Sequence, residues 1–167
     1  EMRSTGEVLG LAIEAGEAFF KAEEAANAKL PLSGTVLMAV SDSDKNVIAL
    51  VAEKYIEAGF KILATEGTFE ALRNGGIECE KVGSKRPDVL DHVINGQVQL
   101  IINTPREKAL TSTGSVLRRG AVKARIPYIT TLAGADAAIE GIMTIKNNKN
   151  NNLDSLKSIK EWHSMIK

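Results

Sequence analysis

The chain has 167 residues, 44% hydrophobic and 25% charged, with Lys+Arg and Asp+Glu at 21 each. That is enough for one domain with a core, and the zero net charge excludes a global pull toward nucleic acid or an anionic membrane, so an anion site must be built locally. A lone cysteine, Cys79, excludes an intrachain disulfide; with no apolar run near the ~18 residues of a membrane span and no signal-peptide pattern, a cytoplasmic protein is expected.

The chain opens at Glu1 rather than Met and reads as a piece of something longer. Residues 1–9 read as a lead-in. Residues 10–28 read as a helix with Leu11, Ile13, Ala18, Phe19 and Ala22 on its apolar side. Pro31-Leu32-Ser33-Gly34 breaks the chain. From there strands and helices alternate. Residues 35–40 form a near-continuous apolar strand, as buried parallel strands do. Ser41-Asp42-Ser43-Asp44 supplies capping chemistry, and Val47, Leu50, Val51 and Tyr55 then recur at helical spacing as far as Gly59. A second strand covers 61–65, a short helix 69–74, and a third strand 77–82, with Cys79 buried in it. Pro87 opens a helix holding Val89, Leu90, Val93 and Ile94, which ends at Gly96. A fourth strand over 98–103, a helix over 114–124, a fifth strand over 126–131 and a helix over 133–142 follow. Residues 147–152, nearly all Asn, read as a flexible surface loop, and 153–166 as a last helix with Leu153, Leu156, Ile159, Trp162 and Ile166 inward. The alternation predicts an α/β fold: three layers, α/β/α, around a five-stranded parallel, Rossmann-like sheet.

Ligands of open parallel sheets bind where the strands run out. Thr65-Glu66-Gly67-Thr68 lies there, between the second strand and the next helix. A helix N-terminus offers unpaired N–H groups and partial positive charge, and Gly67 lets backbone approach an anion. Lys45 follows the first strand, Lys81 ends the third, and Asn103-Thr104 closes the fourth. Each residue alone reads equally as a surface charge or a cap. Together at one edge, two ammonium groups and two hydroxyls suit a phosphate, and Asn103 suits a base or ribose. His92 and His163 have no companions at metal-ligand spacing. No paired acid and base marks general acid–base catalysis; Glu66 and Asp88 merely flank the site. The residues point to an anion or nucleotide binder rather than a catalyst.

The opening Glu1-Met2-Arg3-Ser4-Thr5-Gly6-Glu7-Val8-Leu9-Gly10 resembles the segment leaving the second ATP-grasp half of carbamoyl phosphate synthetase large subunits. The remainder, with Ile101-Ile102-Asn103-Thr104 and Tyr128-Ile129-Thr130-Thr131-Leu132, resembles their C-terminal regulatory domain, of the methylglyoxal-synthase-like fold family. The resemblance implies a boundary near residue 33: a lead-in and helix over 1–33 from the ATP-grasp region, and the regulatory domain over 34–167. It implies an allosteric module for UMP or an IMP-like nucleotide, working with the rest of the large subunit and a small glutamine amidotransferase subunit. The full enzyme makes carbamoyl phosphate from bicarbonate, glutamine and ATP for pyrimidine and arginine biosynthesis. ATP and Mg or Mn belong to the full enzyme, and no cofactor, nucleic acid or membrane to this chain. By resemblance the effector phosphate falls on Lys45, Thr65, Gly67, Thr68 and Lys81, the nucleoside on Asn103 and Thr104, and a second effector site on Tyr128 and Thr130. One departure is Pro105, where the family has a threonine hydroxyl. The alternative is a free-standing lyase resembling methylglyoxal synthase and acting on dihydroxyacetone phosphate. It needs a carboxylate in a Gly-Gly-Asp loop, and the matching stretch here is the basic Gly83-Ser84-Lys85-Arg86-Pro87-Asp88.

Overall fold

The computed structural model describes residues 6–82, 88–104, 113–148 and 157–165. Among them, five parallel strands pair in the order β3-β2-β1-β4-β5. They are β1 (Gly34–Ala39), β2 (Phe60–Ala64), β3 (Glu80–Lys81), β4 (Leu100–Asn103) and β5 (Tyr128–Ile129). The helices are α1 (Ala15–Ala25), α2 (Ile48–Glu57), α3 (Glu66–Asn74), α4 (Val89–Ile94), α5 (Thr113–Ala124), α6 (Leu132–Asn148) and α7 (Ile159–Met165), with a 3-10 turn at Asp42–Asp44.

The central strands β1, β2 and β4 are mostly apolar because both faces are covered. Val36, Met38, Ile62, Leu100 and Ile102 face one core with residues of α1, α2, α3 and α6. Leu37, Leu63 and Ile101 face the other, with Val89 and Val93 of α4 and Leu117 and Ala121 of α5. This is the expected three-layer α/β/α arrangement. The chain order reverses between β1 and its neighbours β2 and β4, and open parallel sheets bind ligands at the carboxyl ends of strands beside such a point.

Helix α1 is packed against α6 through two glycines. A Cβ on Gly141 would stand 2.2 Å from the Gly16 carbonyl oxygen, and one on Gly16 2.7 Å from Gly141 N. Only backbone without side chain permits that approach. Tyr55, fully buried, donates from its hydroxyl to the Ala135 carbonyl at 2.8 Å and ties α2 to α6.

Several elements depart from the expectations of sequence. Helix α1 starts at Ala15, not residue 10. Gly10 lies across it instead, at a spot where a Cβ would meet the Ala18 carbonyl oxygen at 2.0 Å. Leu11 and Ile13 therefore precede the helix and are exposed. Helix α3 begins at Glu66, so Glu66-Gly67-Thr68 is its first turn rather than a loop before it. Strand β3 shrinks to Glu80–Lys81, which leaves Cys79 half-buried outside any strand. Strand β5 shrinks to two residues. Helix α6 runs on through Asn147 to Asn148, because Ile142 and Ile145 extend the buried face set by Ala135, Ala138 and Ile139. In α7, Ile159 is exposed rather than inward, and the ammonium groups of Lys157 and Lys21 lie over the Trp162 ring, 5.3 and 6.0 Å from its centroid. The expectations for Glu1–Thr5, the 83–87 loop with Pro87, Pro105, residues 149–152, Leu153, Leu156 and Ile166 lie outside the described residues.

Candidate functional site

Strand register brings the strand ends to one rim. Met38 of β1 pairs with Ala64 of β2, Ala64 with Lys81 of β3, and Ala39 with Asn103 of β4. From this row each loop leaves the sheet on the same side.

Thr65 is extended (φ −69°, ψ 156°) and serves as N-cap of α3, yet its side chain makes no capping hydrogen bond. Its hydroxyl turns to the Thr68 hydroxyl at 3.3 Å. The first-turn N–H groups of α3 thus receive no side-chain cap from residue 65, and a free helix start attracts an anion. The Lys45 ammonium lies over that turn. A Cβ on Gly67 would stand 2.8 Å from its Nζ, so the missing side chain is the berth of the lysine. Lys81 reaches the same turn from β3 and forms an ion pair with Glu66 Oε1. Lys45 is paired with Asp42 Oδ1 at 2.7 Å. The hydrogen bond and charge of Lys81 hold the Glu66 carboxyl below its ordinary range.

The two other rim threonines are engaged inside the fold. Thr68 is 1% exposed, and its Oγ1 accepts from Val40 N at 3.0 Å. Thr104 is also buried, and its Oγ1 accepts from Ser41 N at 2.8 Å. They catch the two N–H groups with which the backbone leaves β1. Ser41 then donates from Oγ to Asp44 Oδ2 at 2.8 Å and closes the 3-10 turn that leads into Lys45. The ladder ends at Ala39, and a buried backbone donor left without a partner costs about 1–3 kcal/mol.

Asn103 is half-buried and donates from Nδ2 to the Tyr128 hydroxyl, which in turn donates to the Gly114 carbonyl at 3.3 Å. One residue expected at each of the two effector sites is therefore joined to the other by a single hydrogen bond. Thr130 is exposed just beyond β5. A cavity of about 530 Å³ lies away from the α3 rim, between the ends of α1 and α5 and the start of β5. Tyr128 lines it, with Glu23, Asn27 and Arg125, and none of the rim residues does. Among the described residues, Asn27 and Arg125 are the two non-glycine positions with left-handed backbone, φ 60° and 54°. Burial there pushes the Glu23 carboxyl up.

Asp88, the acid in the stretch matching the lyase loop, is the N-cap of α4. Its Oδ1 accepts from Leu90 N and Asp91 N at 2.9 and 3.1 Å in a capping box. Sequence reasoning marks Glu66 only as a flanking acid and misses Asp42. Asp42 stands three residues before Lys45, a spacing visible in the sequence. Glu66 and Lys81 are brought together by the β2–β3 pairing, which local sequence does not display.

The chain matches the MGS-like domain family over residues 47–130. It is 47% identical to the carbamoyl phosphate synthase large chain of Archaeoglobus fulgidus, over 98% of this chain and 15% of that protein. It is 44% identical to the large chain of Methanothrix thermoacetophila, over 100% of this chain and 16% of that protein. The C-terminal section of the carbamoyl phosphate synthase large chain from Methanopyrus kandleri is 47% identical over 87% of this chain and 28% of that protein. The chain thus spans between 15% and 28% of the length of these relatives. Among solved structures, methylglyoxal synthase from Elizabethkingia anophelis superposes with a TM-score of 0.55 at 20% identity, over 66% of this chain and 79% of that one, a likeness of fold. With half its length matched by one domain family, and carbamoyl phosphate synthase large chains as relatives, the chain belongs to the MGS-like domain family.

Proposed function

We propose that the chain is the allosteric nucleotide-binding domain of a carbamoyl phosphate synthase large chain and has no catalytic role of its own. The carrying observation is the start of α3, an uncapped helix N-terminus with the amines of Lys45 and Lys81 on its first turn. Relatives that are carbamoyl phosphate synthase large chains support the placement. The ligand is a mononucleotide, UMP or an IMP-like effector. Its phosphate sits at Thr65, Gly67, Lys45 and Lys81, and its nucleoside extends toward Asn103. Thr68 and Thr104 shape the rim from below. In the whole enzyme, carbamoyl phosphate is made from bicarbonate, glutamine and ATP with Mg or Mn, by the rest of the large chain and a small glutamine amidotransferase subunit in the cytoplasm. Binding here alters that catalysis by favouring one state of the whole assembly, which requires different affinities in the two states.

Calorimetry of the 167-residue chain with UMP tests the reading. Heat of binding and a raised melting temperature are expected. Lys81→Ala removes one charge-assisted hydrogen bond, worth about 1.5–3 kcal/mol, and should weaken binding by roughly ten- to a hundredfold. It should leave the fold intact, because Lys81 is exposed at the sheet edge. No heat and no thermal shift at millimolar UMP would refute the proposal.

A further inference from the structure

Tyr128 stands opposite Ile101 in the β4–β5 register, two residues short of Asn103. Side chains two apart on a strand share a face. Tyr128, Ile101 and Asn103 therefore lie on the side of the sheet covered by α5, where Tyr128 packs against the core of Ile101, Leu117 and Ala121. The length of the ring carries its hydroxyl to Asn103. There the oxygen accepts from Nδ2, and the hydroxyl proton goes to the Gly114 carbonyl in the first turn of α5. The polarity of this relay is set at its far end. A backbone carbonyl only accepts, so the single hydroxyl proton is spent on Gly114 and the oxygen is left to accept from Asn103. The carboxamide nitrogen then faces Tyr128 and its oxygen faces away. Among the described residues Oδ1 has no protein partner, and it is not sealed in the interior. Without such a hold the terminal torsion of asparagine is broad, and the amide presents nitrogen or oxygen alike.

We propose that Tyr128 is a positioning residue of the nucleotide site: its hydroxyl holds the Asn103 carboxamide with Oδ1 toward the ligand, so that the site selects nucleosides offering a hydrogen-bond donor there. This rests on the reading of the α3 rim as a nucleotide-phosphate site. Asn103 ends β4, two strands across the sheet from β2 and the start of α3. Two strand spacings are about 10 Å, so a mononucleotide with its phosphate at α3 brings its nucleoside to Asn103. The donor is a ribose hydroxyl or the ring N–H of a uracil or hypoxanthine. The tyrosine ring also lines the cavity at the ends of α1 and α5, but its hydroxyl serves the rim.

The test is a double-mutant cycle on the 167-residue chain: wild type, Tyr128→Phe, Asn103→Ala and the double variant, each titrated with UMP by calorimetry. Tyr128→Phe keeps the ring and its packing, and should weaken UMP binding about 2- to 10-fold, the worth of one neutral hydrogen bond. In the Asn103→Ala background the same change should alter affinity by less than about 2-fold, because no amide is left to orient. Two analogues locate the donor: 2′,3′-dideoxy-UMP lacks the ribose hydroxyls, and 3-methyl-UMP lacks the base N–H. The analogue without the donor should bind wild type and Tyr128→Phe alike. NMR of the wild-type chain gives an independent reading. An Asn103 Nδ2 proton should exchange more slowly than those of the exposed Asn95. Four results overturn the inference and leave the nucleotide site standing: UMP binding that Tyr128→Phe leaves unchanged, a loss equal with and without Asn103, both analogues still telling wild type from Tyr128→Phe, or an Asn103 amide that exchanges as freely as Asn95. No binding of UMP by the wild type refutes both.

Discussion

Thr68→Val removes one oxygen from the interior and little else. Valine keeps the branched shape, so packing beside Leu72 and the sheet is preserved. What is lost is the acceptor for Val40 N, now 3.0 Å away. Val40 is 6% exposed, so water does not freely replace it. Leaving that donor unpaired costs about 1–3 kcal/mol. For a domain of this size, 1 kcal/mol moves the melting temperature by about 2–4 °C, so a fall of roughly 2–12 °C is expected in the unliganded protein. Thr68→Ser is the comparison: it keeps the acceptor and gives up one methyl, worth about 0.8 kcal/mol. Circular-dichroism melts should rank wild type above serine, and serine above valine. Because Val40 leads through Ser41 into the turn before Lys45, valine should also weaken UMP binding. A valine variant that melts with or above the serine variant would refute the role assigned to this hydroxyl.

Gly141→Ala should lower the melting temperature more than Gly120→Ala does, although both gain helix propensity of about 1 kcal/mol. The new methyl at 141 meets the Gly16 carbonyl of a packed helix at 2.2 Å, whereas the one at 120 meets a movable Leu90 methyl at 2.8 Å, and overpacking against fixed backbone costs about 1–3 kcal/mol or more. Glu23→Gln should stabilise the protein near neutral pH. Burial raises the folded-state pKa of Glu23 above its unfolded value, so the acid is penalised once pH rises through the carboxylate range, and the difference in melting temperature should close as pH falls back below it.

The sheet and its helices are legible in sequence because burial on both faces writes itself into local residue order. Val36 to Met38 and Leu100 to Ile102 are unbroken apolar runs, and Gly59 and Gly96 mark helix ends with φ of 86° and 69°. Short edge strands are not legible to the same degree. β3 and β5 each have one neighbour in the sheet, and the apolar residues around them pack without joining the ladder. The start of α1 is misleading because Leu11 and Ile13 carry the right spacing but stand outside the helix. The rim residues are legible as chemistry at strand ends. Their division of labour is not, since a threonine half-exposed at the rim and one facing a backbone N–H look alike in sequence.

From residue order alone come the alternation of elements, the apolar strands and the candidate cations at their ends, all of which depend on near neighbours in sequence. Tertiary structure alone decides which of those groups meet. Pairing β2 with β3 puts Lys81 on Glu66 across fifteen residues, and pairing β1 with β4 lets Thr104 hold Ser41 across sixty-three. Hydrogen bonds and ion pairs act over a few ångströms, and distance along the sequence does not measure them.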